Sequence, residues 1–144
     1  MKILVIHGPN LNMLGKREPL HYGTETMDDI NRQMADKGMA LGMTLDFFQS
    51  NCEGTIVDRI QSAIDQYEGL IINAAAYTHT SLAIRDALLL LDIPIIEVHL
   101  SNIYKREPFR RNSMIADVVS GQICGFGSHG YLLAIDAAFQ LMRP

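Results

Sequence analysis

Five short aliphatic runs, at residues 2–7, 43–49, 69–73, 94–99 and 122–125, constrain the fold of this chain more than any other feature. Each is rich in Ile, Leu, Val or Phe and too short for a helix, and the stretches between them carry helical spacing. Thr26 can cap a helix running to Leu41, with Asp28 and Asp29 in its first turn, where the helix dipole favours acids. Gly54 to Tyr67 reads as a second helix with Ile56, Ile60 and Ile64 on one face. Thr80 or Ser81 can cap a third that runs to Leu91, and Gly130 to Met142 reads as the last. The 144 residues, 48% of them hydrophobic, suffice for one core, so a single catalytic domain spanning 1–144 is expected.

Strands that are apolar almost throughout belong to sheets covered on both faces, which indicates a parallel sheet between two helix layers. The simplest arrangement is an α/β, flavodoxin-like three-layer sandwich with strand order 2-1-3-4-5. Ligands of such sheets sit beyond the carboxyl ends of the strands, beside strands 1 and 3. The densest polar segments fall there: His7 to Gly23 after strand 1, Asn73 to His79 after strand 3, and His99 to Arg111 after strand 4. The first is the longest loop. It gathers Asn10, Asn12, Lys16, Arg17, Glu18, His21 and Tyr22 among glycines and prolines, a composition that suits chemistry better than spacing.

The net charge of -4 argues against a nucleic-acid partner, which normally needs a basic surface. Six of the 12 basic residues nonetheless cluster at Lys16–Arg17, Lys105–Arg106 and Arg110–Arg111, a pattern that fits a small anionic ligand. Cys52 and Cys124 have no metal-type spacing and form no disulfide framework, so reduced thiols in a cytoplasmic protein are expected. The initial apolar run breaks off at His7-Gly8-Pro9-Asn10, and no run approaches the ~18 residues of a membrane span, so no membrane association is expected. Between Ser81 and Leu91 only Arg85 and Asp86 are charged, and between Tyr131 and Met142 only Asp136. Helices this apolar have a second face to bury, and a homo-oligomer is expected.

Several motifs are present only in part. Gly125-Phe-Gly-Ser-His-Gly130 matches a dinucleotide fingerprint but has no following strand and no acidic residue at the required distance, so a tight turn against a helix is the better reading. Gly8 to Lys16 resembles a phosphate loop, but its spacing is wrong and Arg17 replaces the Ser or Thr. A flavodoxin-like nucleotide-binding module therefore stands as a weaker alternative. His7, His79 and His99 end three strands and leave open a metal-dependent hydrolase, although no pair has the spacing of a known site and no carboxylate cluster joins them. Lys2, Lys16, Lys37 and Lys105 are not placed for Schiff-base chemistry.

Acid and base candidates emerge from the remaining polar residues. A phenol titrates near pH ~10, and a guanidinium beside it favours the phenolate, so Tyr22 near Arg17 is a plausible base. His99 can serve as the complementary acid, because Glu97, two positions earlier on the same side of the strand, can orient its ring.

These residues in order resemble the type II dehydroquinase family over nearly the whole chain. The resemblance rests on Gly8-Pro9-Asn10-Leu11, Leu14-Gly15, Arg17-Glu18-Pro19 to Tyr22-Gly23, Asn73 with Thr78-His79-Thr80-Ser81, Glu97 to Asn102, Arg106-Glu107 to Phe109-Arg110, and the Gly130-Tyr131 helix. It implies trans dehydration of 3-dehydroquinate to 3-dehydroshikimate, a step of aromatic biosynthesis, with neither metal nor organic cofactor. By the same resemblance, Tyr22 activated by Arg17 takes an α-proton, an enolate is stabilised by a water near Asn10, and His99 protonates the departing hydroxyl. Asn73 orients His99 and substrate. Leu100 and Ser101 hold the carboxylate, and His79 and Arg110 bind ring hydroxyls. Gly15 to Gly23 acts as a lid, Asp86 of a neighbouring subunit reaches the lid arginine, and trimers assemble into a dodecamer. The chain departs from the family pattern at Ala74-Ala75-Ala76, where a glycine-containing turn is usual. If that turn needs φ > 0, Ala75 costs ~1 kcal/mol. A second departure is His7, which stands where Asn is common.

Overall fold

Strands β1 (Lys2–His7), β2 (Thr44–Gln49), β3 (Gly69–Asn73), β4 (Ile95–His99) and β5 (Gly121–Cys124) form one parallel sheet in the order β2-β1-β3-β4-β5. The computed structural model describes residues 1–16, 20 and 24–144. Arg17 and Tyr22, the expected activating residue and base, lie outside the described residues, as does Gly23 at the end of the expected lid. Among the described residues are four helices, α1 (Met27–Ala40), α2 (Glu53–Gln61), α3 (Leu82–Leu88) and α4 (His129–Met142).

Alternation along the strands divides the core in two. Ile3, Val5, Ile71, Ile96 and Val98 pack under α1 and α4, while Leu4, Ile6, Leu70, Ile72 and Ile95 pack under α2 and α3. Both faces are thereby buried, which is why these strands are apolar at nearly every position. Helix α1 starts where its cap signals place it. Thr26 Oγ1 accepts from the Asp29 amide at 3.1 Å, and Asp29 Oδ2 accepts from the Thr26 amide at 3.0 Å.

Two helices end earlier than their spacing predicts. Helix α2 stops at Gln61 instead of reaching Tyr67. The Ser62 hydroxyl donates to the Arg59 carbonyl at 2.7 Å, competing with the helical ladder, and Asp65 takes φ 60°. Ile64 consequently turns outward, 43% exposed. Helix α3, capped by Ser81 through the Ile84 amide at 2.9 Å, stops at Leu88. The following amides of Leu90 and Leu91 reach back only three residues, to Ala87 and Leu88, a tightened last turn.

At the carboxyl end of the sheet, His7 is level with Asn73 and with Gln49, while His99 is level with Cys124. Gly8 passes so close to the next loop that a Cβ there would lie 2.5 Å from the Ala74 carbonyl oxygen, so only glycine fits. That close passage sets the loop after β1 against the loop after β3. Between these loops and the one after β4 the described residues form a cavity of about 140 Å³.

Candidate active site

The chemistry at this cavity starts with β4. Its pleat puts Ile95, Glu97 and His99 on one face, and its central position leaves the Glu97 side chain with no exposure. A carboxylate there must be satisfied by donors. Among the described residues it has three: His99 Nε2 at 2.5 Å and Gln122 Nε2 at 3.0 Å, both to Oε2, and the Ser113 hydroxyl at 3.1 Å from Oε1 and 3.0 Å from Oε2. With Nε2 of His99 donating to Glu97, Nδ1 is the nitrogen available to a ligand in the cavity. The charge of Glu97 extends to Cys124, whose thiol is pushed up to about 11 by burial and then by that carboxylate.

His79 ends the short 3-10 helix Ala75–His79 and stacks near His99, ring centroids 6.3 Å apart and planes 22° from parallel. Its Nδ1 donates to the Asn112 carbonyl at 2.9 Å, which leaves Nε2 as its acceptor nitrogen. Burial, opposed by that bond and reinforced by His99 and Arg110, holds His79 below the usual histidine range, so it is neutral at pH 7.

Asn73 ends β3. Its Nδ2 donates to the Tyr131 hydroxyl at 2.9 Å, and its Oδ1 accepts from the Ala75 amide at 3.0 Å. These two bonds fix the amide, and the buried side-chain bond of His99 goes to Glu97 and not to Asn73. The Glu97 contact expected from the spacing of two along the strand is formed, while the Asn73 side chain bonds to Tyr131 and Ala75. The turn after Asn73 keeps the left-handed conformation that favours glycine, with Ala75 at φ 52°. Asn10 is also left-handed, at φ 68°, and its amide donates to Asn51 Oδ1 at 3.0 Å.

Of the expected site residues, Asn10, Asn73, His79, His99, Leu100, Ser101 and Arg110 all line the cavity. The Arg110 side chain is oriented by Glu107, whose Oε2 accepts from Nε at 2.5 Å, and lies over the Phe109 ring. Asp86 is elsewhere, exposed on α3 and not on the cavity wall of its own chain. Its neighbour Arg85 is absorbed within the chain, donating to the Met114 carbonyl at 2.8 Å and pairing with Asp117.

Sequence reasoning missed three parts of this end of the molecule. Arg106 lines the cavity as well; it stood in the basic stretch but was given no role. Ser113 and Gln122, the donors to Glu97, carried no signal, since they meet it only through folding. The third part is a buried neutral network. His7 Nε2 donates to Asn31 Oδ1 at 2.8 Å, and the Tyr131 hydroxyl, which accepts from Asn73, lies 3.5 Å from His7 Nδ1. Burial pushes His7 down to about 4, only partly offset by the Asn31 bond, and raises the Tyr131 phenol well above its ordinary value.

His7 turns its ring nitrogens to Asn31 and Tyr131 and does not line the cavity that holds His79 and His99. Among the described residues no three His, Cys, Asp or Glu side chains converge as a metal site requires. The Gly125–Gly130 segment is a turn, as its missing context indicated. Gly125 and Gly127, at φ 94° and 59°, return their amides to the His99 and Leu100 carbonyls and lead into α4. No helix among the described residues is long and apolar enough to cross a membrane.

A flavodoxin-like sheet carrying a carboxylate-held imidazole, a fixed amide and two arginines around one small cavity is an arrangement suited to acid–base chemistry on a small anionic ligand. Comparison with known proteins sharpens that class: the model of the family described as dehydroquinase class II matches residues 1–139, and the chain belongs to this family. A 3-dehydroquinate dehydratase of Geotalea daltonii is 58% identical over 143 residues, 99% of each chain. One from Acinetobacter baylyi is 57% identical over 143 residues, 99% of this chain and 96% of the relative. Among solved structures, the type II dehydroquinase of Butyrivibrio crossotus superposes with a TM-score of 0.94 at 46% identity, covering 96% of this chain and 97% of that one. That of Propionibacterium acnes gives 0.93 at 42% identity, covering 96% of each.

Proposed function

We propose that this chain dehydrates 3-dehydroquinate to 3-dehydroshikimate in the shikimate pathway, by trans elimination through an enolate. The observation that carries the reading is the Glu97–His99 pair, whose imidazole lines one cavity with Asn10, Asn73, Ser101 and Arg110. Tyr22, its phenolate favoured by Arg17, takes the α-proton beside the ketone. The enolate oxygen is held through a water near Asn10. The carbon–oxygen bond then breaks, and the hydroxyl leaves as water with a proton from His99. The acid form of His99 is the imidazolium, and the buried Glu97 carboxylate balances its charge. The negative charge passes from the phenolate to the enolate and then to the leaving oxygen, where the proton of the imidazolium neutralises it, so the net charge of the site does not change.

Substrate binding follows from the cavity wall. Leu100 and Ser101 hold the carboxylate, and His79 and Arg110 bind ring hydroxyls; a neutral His79 with a free Nε2 acceptor suits a hydroxyl donor. Neither metal nor organic cofactor takes part in this chemistry. The working form is a homo-oligomer in the cytoplasm, trimers assembled into a dodecamer, in which Asp86 completes a neighbouring site by meeting its Arg17. Support comes from α3 and the turn after it, where Leu82, Leu89 and Leu90 are each more than half exposed beside the exposed Asp86.

The test mixes purified protein with 3-dehydroquinate in EDTA and follows ultraviolet absorbance of the conjugated enone. A steady rise proportional to enzyme is expected. A flat trace contradicts the reading, and a rise abolished by the chelator contradicts the metal-free mechanism.

A further inference from the structure

We infer that the segment Asn112–Met114 is a strap that sets both imidazoles of the cavity, and that Ser113, together with Gln122, is a positioning residue acting on His99 through Glu97. The inference deepens the dehydratase reading and rests on it.

The strap holds His79 directly and reaches His99 through Glu97. Its Asn112 carbonyl accepts from His79 Nδ1 at 2.9 Å, and its Ser113 hydroxyl lies 3.1 and 3.0 Å from the two Glu97 oxygens. One hydroxyl proton shared between both oxygens fixes the tilt of the carboxylate plane. Gln122, level with Glu97 across the β4–β5 ladder, donates to Oε2 at 3.0 Å from the other side. His99 donates to that same Oε2, so the ring can hold only the direction the carboxylate leaves it. Two donors unconnected in sequence thus aim one imidazole.

The strap is itself anchored. The Met114 amide donates to the Thr78 carbonyl at 2.8 Å, one residue before His79. Arg85 of α3 donates to the Met114 carbonyl at 2.8 Å, and Ile115 is fully buried in the core. Ser113 Oγ also accepts from the Ile115 and Ala116 amides at 3.3 and 3.0 Å, which orients its hydroxyl proton outward to Glu97. None of Asn112, Ser113 and Gln122 lines the cavity. Their contribution is therefore to the aim of the acid and not to contact with substrate, and small misplacements of a reacting group are expensive in rate.

The test compares kcat and KM for 3-dehydroquinate among wild type, Ser113→Ala, Ser113→Thr and Gln122→Leu, with thermal unfolding of each. Ser113→Ala and Gln122→Leu should each lower kcat about tenfold with KM within about twofold, and Ser113→Thr, which keeps the hydroxyl, should restore kcat to within about twofold of wild type. Gln122→Leu removes no turn cap and decides the matter if Ser113→Ala fails to fold. Unchanged kcat in Gln122→Leu and Ser113→Ala, a loss seen in KM alone, or a Ser113→Thr variant as slow as Ser113→Ala overturns the inference. If the wild type does not turn over 3-dehydroquinate, the dehydratase reading falls. A crystal structure of Ser113→Ala then decides the strap, since an unmoved Glu97–His99 pair contradicts it.

Discussion

Two histidines end parallel strands at the same edge of the sheet, and their surroundings give them opposite chemistry. His7, on the α1–α4 face, turns its ring nitrogens to the neutral side chains of Asn31 and Tyr131, and burial holds it unprotonated. His99, on the α2–α3 face, meets a buried carboxylate. Burial alone suppresses charge on an imidazole, whereas burial beside an anion that is itself held by other donors preserves the option of charge. The residue type thus says little, and the partner decides which histidine can deliver a proton.

Removing the anion should have the largest effect. Glu97→Gln leaves the ring a hydrogen-bond partner but no charge to balance an imidazolium. Its kcat for 3-dehydroquinate should fall on the order of 10²-fold, the lower range of what a positioned acid contributes. Steady-state rates measured by enone absorbance check this.

How much of this contrast was legible in the sequence depends on distance along the chain. The strands followed from aliphatic runs, and the Glu97–His99 pairing followed from their spacing of two on a strand, because both signals are local. The ends of α2 and α3 were not legible, since Ser62 competes for a carbonyl and a leucine-rich run contains no stop signal. Ser113 and Gln122 reach Glu97 across separations of 16 and 25 residues, and Tyr131 reaches His7 across 124. No periodicity encodes such meetings. The strain at Ala75 was legible for a different reason, as an alanine where the family pattern places glycine.

A second effect sharpens the neutral side. The folded state holds His7 at about 4, below the ~6.5 of an unfolded histidine, so only the unfolded chain takes up this proton as pH falls below ~6.5. Stability from this site is complete above that pH and declines toward pH 4. Between pH 7 and 4.5 the loss should be about 2–3 kcal/mol in urea unfolding, and it should be absent in His7→Asn.

The smallest effect concerns the turn that presents Asn73. Ala75 at φ 52° carries backbone strain that glycine would not, so Ala75→Gly should raise stability by up to ~1 kcal/mol. A rise in the urea midpoint with unchanged slope checks it.

The most direct test of the contrast is the turnover number for 3-dehydroquinate of His99→Asn beside that of His7→Asn. His99→Asn should lose ~10²–10⁴-fold in kcat, while His7→Asn, whose amide can still donate to Asn31, should remain within about threefold of wild type. Comparable losses in the two variants, or a His99→Asn enzyme near wild-type rate, would contradict the assignment of the acid to the carboxylate-held histidine.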